Sequence, residues 1–109
     1  MLIDEVLSAL PNLKFMLIAP FILDGSGTMN TEENPNKFEH FKREVKIRAD
    51  ICKKLARKYN VPCIDTQKAF DEALKKADDS YWCEDGVHPT VFGHQILKDL
   101  WLKAFDEIK

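Results

Sequence analysis

The chain of 109 residues contains no apolar run near the roughly 20 residues that a membrane-spanning helix needs. Its opening segment, MLIDEVLSAL, carries two acids and no basic leader, so the residues given hold neither an expected span nor an expected secretory signal. An excess of charge of one sign is also missing: 16 Lys and Arg against 18 Asp and Glu give a formal net charge of −2. The lysines are scattered along helix faces, which leaves no field to attract nucleic acid or an anionic surface. Cysteine is scarce. Cys52, Cys63 and Cys83 are odd in number and lack the CxxC spacing of a zinc site or redox pair, which favours a reducing compartment and a cytoplasmic location.

What is present suits one small domain. Apolar residues make up 45% and charged residues 31%, an ordinary globular composition, and a chain of this length can bury about 60 to 70% of its unfolded surface. Ile3, Val6, Leu7 and Leu10 recur at helical spacing until Pro11-Asn12 stops them. The run from Leu13 to Ala19 is almost unbroken apolar, as in a parallel strand covered on both faces, and Pro20 closes it. A Gly- and Asn-rich loop follows. Asn34 and Pro35 are placed as cap and first residue of a helix that runs to Tyr59, with Asn60 available for a left-handed stop. VPCID reads as a second strand, and Asp65 or Thr66 caps a helix reaching Ala77. Residues 78–89 read as loop, and Thr90 caps the last helix.

Helix, strand, helix, strand, helix, helix is an α/β order without repeats or a domain linker. Two strands make a very narrow parallel sheet, and an apolar strand such as 13–19 calls for neighbours on both edges. Either the chain begins partway through a larger domain, or a partner supplies further strands. An unpaired edge is also compatible with an oligomer.

One stretch stands out chemically. EDGVHPTVFGHQ, residues 84–95, sets an acid three residues before a histidine in a loop that opens a helix, and such pre-helical loops are where chemistry collects in open α/β sheets. Asp85 could accept a hydrogen bond from Nδ1 of His88, leaving Nε2 to take a proton from a nucleophile. Gly86 frees the turn, and Pro89 drives His88 toward an extended backbone. The alternative is a plain Asp-Gly turn with a loop histidine ahead of a Thr cap.

DGVHPTVFGHQIL resembles the last block of the SGNH (GDSL-type) hydrolases, in which a D-x-x-H-P loop precedes the C-terminal helix. LKFMLIAPF is similar to that family's penultimate core strand, VPCID to its last strand, and AFDEAL to the helix before the final loop. The resemblance implies the C-terminal part of a three-layer α/β/α, flavodoxin-like parallel sheet, incomplete in this chain. It also implies that Asp85 orients His88 as general base in a Ser-His-Asp triad that cleaves a small-molecule carboxylic ester, with no metal or organic cofactor. Phe21 and Ile22, just past Pro20, become candidates for an acyl-pocket rim. Trp82, with Tyr81, either borders a substrate cleft or packs on the last helix.

The family's Gly-Asp-Ser nucleophile block and its oxyanion Gly and Gly-x-Asn-Asp blocks do not occur here. Ser8, Ser26 and Ser80 are the only serines, and DGSG at 24–27 lacks the G-x-S-x-G pattern of a nucleophile elbow; a flexible loop is the simpler reading. Cys83 reads as a packed thiol in preference to a nucleophile, and His88, His94 and Asp85 fit no common zinc spacing. His40 reads as solvated. Two functions follow as expectations: the Asp-His portion of an ester hydrolase, completed by a missing N-terminal half, or an inactive fragment that only binds a complementing chain through its open sheet edge.

Overall fold

The computed structural model describes residues 1–109. In chain order the elements are α1 (Leu2–Ala9), β1 (Leu17–Ala19), α2 (Lys37–Tyr59), β2 (Cys63–Asp65), α3 (Thr66–Ala73), α4 (Asp79–Trp82) and α5 (Val91–Ile108). β1 and β2 pair in parallel, with Leu17 opposite Cys63, Ile18 opposite Ile64 and Ala19 opposite Asp65. This is a partial α/β fold.

Alternation along the two strands sends side chains to opposite faces. Asp65 meets α2 through a 3.0 Å ion pair with Lys53. Ile18 and Ile64 point the other way, lining a furrow with Val91, His94, Leu97 and Trp101 of α5. The sheet thus has a helix layer on each side. Cover is uneven, for Ile64 is buried whereas Ile18 is 53% exposed. The molecule measures 50 × 28 × 18 Å, and its radius of gyration of 15.8 Å exceeds the about 13 Å of a compact domain this long.

β1 is shorter than the apolar run 13–19 suggests. Strand length is set by pairing as well as by hydrophobicity, and β2 offers only three residues; the Leu17 amide donates to Pro62 at 3.0 Å, and Leu13 is exposed. α2 begins at Lys37, later than an Asn34 cap would put it. Asn34 instead closes the preceding turn, accepting from Thr31 and Lys37, while Asn30 Oδ1 accepts from the Phe38 amide at 2.9 Å and serves the helix start from a distance. At its other end Asn60 adopts φ 54°, ψ 50°, the left-handed stop expected of it. Asp65 caps α3 by accepting from the Lys68 amide at 3.2 Å. α3 ends at Ala73, with turns in place of the helix expected to Ala77, and the stretch read as loop contains the one-turn α4.

A small interior of Leu23, Phe70 and Cys83, all nearly inaccessible, gathers Phe21, Leu74, Trp82, Ile96 and Leu97 around it. It lies under the 83–89 loop, so the loop rests on the best-packed part of the chain. Thr66 adds a buried tie, its hydroxyl donating to the Ala19 carbonyl at 2.5 Å. Phe70→Ala should lower the unfolding free energy by about 3 to 5 kcal/mol, the range for emptying a buried aromatic site, as read from chemical denaturation.

Candidate active site

Residues 83–89 are closed at their base. Cys83 and Pro89 form an isolated antiparallel bridge, and the Thr90 amide donates to the Trp82 carbonyl at 2.8 Å. The Thr90 hydroxyl donates to the Tyr81 carbonyl at 2.6 Å and accepts from the Gly93 amide at 3.2 Å, so the cap of α5 also fastens it to α4. Gly93 permits this approach, since a β-carbon there would strike the Trp82 carbonyl oxygen.

Inside this loop the Asp85 carboxylate is used twice over. Its Oδ1 accepts from the amides of Val87 at 3.0 Å and His88 at 2.8 Å. Its Oδ2 lies 2.6 Å from His88 Nδ1. The Val87 amide foremost, then the His88 amide and ring, hold the Asp85 carboxyl well below the usual carboxylate range. An ionised acid at that distance keeps a proton on Nδ1. The His88 side chain is 82% exposed, and Nε2 makes no hydrogen bond within the chain, leaving its lone pair directed outward. Gly86 adopts φ +97°, a conformation costly for a residue with a β-carbon.

No protein-family model matches the chain. It is 32% identical over 99 residues to an acetylxylan esterase of Geobacillus stearothermophilus, a match that covers 90% of this chain and 41% of that protein. Its fold matches a GDSL-like lipase of Parabacteroides merdae with a TM-score of 0.70 at 31% identity, over 94% of this chain and 44% of the other. An acetyl xylan esterase variant from Geobacillus stearothermophilus gives a TM-score of 0.72 at 30% identity, over 94% and 43%. These likenesses support an SGNH (GDSL-type) hydrolase family for the stretch they cover. The chain spans less than half the length of these relatives.

Within this segment the expected rim position of Ile22 needs correction. Ile22 is only 4% exposed, and its amide and carbonyl are both taken by the Gln67 side chain, at 2.9 and 3.1 Å. It belongs to the interior, not to a rim. Phe21 is half-buried with its ring centroid 4.4 Å from that of Phe70. Trp82 is half-buried too, its indole N–H donating to the Ala77 carbonyl at 3.1 Å, so both rings are engaged with the core. The exposed aromatic surface beside the loop is the stacked pair of Tyr81 and Phe92, with centroids 4.5 Å apart. Phe92 went unnoticed in the sequence, although an aromatic two residues after a Thr cap, off the apolar stripe of α5, is the signal that marks it.

Cys83 is fully buried, and burial foremost, then the charges of Asp85 and Asp79, push its thiol up to about 11. It is a packed thiol at neutral pH. Ser26 is exposed and its side chain makes no hydrogen bond. His94 faces the furrow of α5 and β1, away from Asp85, and no three ligating side chains converge anywhere in the chain.

Because folding lowers the Asp85 pKa, its contribution to stability is complete above the unfolded value of about 3.9 and fades as pH falls toward the folded one. Asp85→Asn should therefore be less stable than the parent at about pH 7, and the gap should narrow at about pH 3, measured by urea denaturation at each pH.

Proposed function

We propose that this chain contributes the acid and base of a Ser-His-Asp triad to a carboxylic ester hydrolase, with the serine and oxyanion donors coming from outside residues 1–109. The observation that carries the reading is the 2.6 Å contact between Asp85 Oδ2 and His88 Nδ1 on a ring otherwise open to solvent. In the complete site His88 Nε2 would take the serine proton as the hydroxyl attacks the acyl carbonyl. It would then deliver that proton to the departing alcohol, and a water would repeat the sequence to free the acid. Asp85 would stay ionised throughout, holding the ring and stabilising the imidazolium. The names of the similar esterases favour an acetyl ester on a sugar as substrate.

A second reading rests on the sheet. β1 has one unpaired edge and Ile18 is 53% exposed beside the apolar furrow of α5, features that also suit a fragment whose role is to bind a complementing chain. Turnover separates the two readings. The chain alone should hydrolyse p-nitrophenyl acetate no faster than free imidazole at equal concentration. Co-expressed with the serine-bearing part of the Geobacillus esterase it should gain a rate that disappears in His88→Ala and drops by about 10⁴-fold in Asp85→Asn. A stable complex without turnover would favour the binding role. Hydrolysis indifferent to both substitutions would remove the dyad from the mechanism.

A further inference from the structure

The loop LDGSGT, residues 23–28, lacks the pattern of a nucleophile elbow. Its position in the fold gives it a different task. The Leu23 amide donates to the Gly86 carbonyl at 2.8 Å and the Gly27 amide donates to the Asp85 carbonyl at 2.9 Å. Two successive carbonyls of the acid-bearing turn are therefore held by one loop some sixty residues earlier in the chain. The Thr28 hydroxyl, buried at 2% exposure, donates to the Leu23 carbonyl at 2.7 Å and so keeps the loop folded back on itself. The Asp24 amide donates to Asp79 Oδ2 at 3.0 Å, a further tie to the element just before the turn.

Steric fit is as tight as the hydrogen bonding. A β-carbon on Gly25 would lie 2.5 Å from the Gly86 amide nitrogen, and one on Gly86 would lie 3.0 Å from Thr28 Cγ2. The two backbones approach without room for a side chain on either facing residue. Leu23 itself is anchored in the interior with Phe70 and Cys83.

From this we propose that residues 23–28 are a positioning clamp: Gly25, Gly27 and Thr28 fix the Asp85–Gly86 peptide and thereby set the aim of the His88 ring. The proposal rests on the reading of Asp85 and His88 as a working pair and adds the element that aligns them. The clamp makes no hydrogen bond to the imidazole or the carboxylate. It holds the main chain of Asp85 from one side, while the carboxylate of the same residue holds the His88 amide and ring from the other. Displacing that peptide moves the acid relative to the ring, and a misplacement of about 1 Å in such a device is worth about 10²-fold in rate.

The tautomer of His88 reports this alignment without any need for turnover, since the hydrogen bond at one ring nitrogen decides which nitrogen carries the proton. Long-range proton–nitrogen correlation spectra of the labelled full chain in alkaline buffer should show the Nδ1–H form in the parent. Gly25→Ala and Thr28→Val should lose that preference and revert to the Nε2–H form that predominates in free histidine, while Thr28→Ser, which restores the hydroxyl, should keep it. If Gly25→Ala does not fold, the Thr28 pair decides, with amide spectra of α2 showing that the rest of the chain is intact. Retention of the Nδ1–H form in a folded Thr28→Val or Gly25→Ala overturns the clamp, as does its loss in Thr28→Ser. Asp85→Asn separates the two levels: a tautomer it leaves unchanged refutes the acid–base pairing itself, whereas one that responds to Asp85→Asn and not to the clamp variants refutes only the clamp.

Discussion

Three hydrogen bonds converge on one carboxylate, and the geometry of the candidate site depends on them. Asp85 accepts from two consecutive amides with one oxygen and meets the His88 ring with the other. The amide bonds make the acid part of the turn's backbone, so its side chain has little freedom left when it reaches the imidazole. Charge and conformation reinforce one another: the bonds that shape the turn also keep the carboxyl ionised, and the ionised carboxyl in turn fixes the proton on Nδ1.

The surrounding fold is arranged to hold that turn. Below it lies the interior of Leu23, Phe70 and Cys83; at its base the Cys83–Pro89 bridge and the Thr90 cap join α4 to α5. The amide of Gln67, at the start of α3, pairs with both main-chain groups of Ile22 as a neighbouring strand would. It thereby carries the order of β1 past Pro20 into the segment that reaches the turn. The well-packed part of this thin molecule is the part nearest the dyad, whereas the opposite edge, at Ile18 and along α5, is open.

Much of this was legible in the sequence where the signal is local. The caps at Asp65 and Thr90, the left-handed stop at Asn60 and the spacing of Asp85 and His88 all concern residues within a few positions of one another, and local chemistry fixes them. What was misjudged depends on distant partners. The strand expected over 13–19 is cut to three residues by the length of β2. Asn34 gives up its place at the head of α2 because Asn30 reaches the Phe38 amide across the loop. Ile22 looked like a rim residue because it follows a strand, but Gln67, 45 residues later, draws it inward. The same limit hid the role of DGSG: two glycines around a serine suggest flexibility when viewed alone, and only the approach of residues 85–86 reveals a tight fit.

That the acid and the base share a single four-residue turn has a structural corollary. In an arrangement where the two come from separate strands, their separation depends on the whole sheet and would be lost with any part of it. Here the pair travels as one cassette, and the amides of the turn and the loop 23–28 that brace it all belong to this chain, so acid and base stay assembled in a chain that spans less than half the length of its relatives.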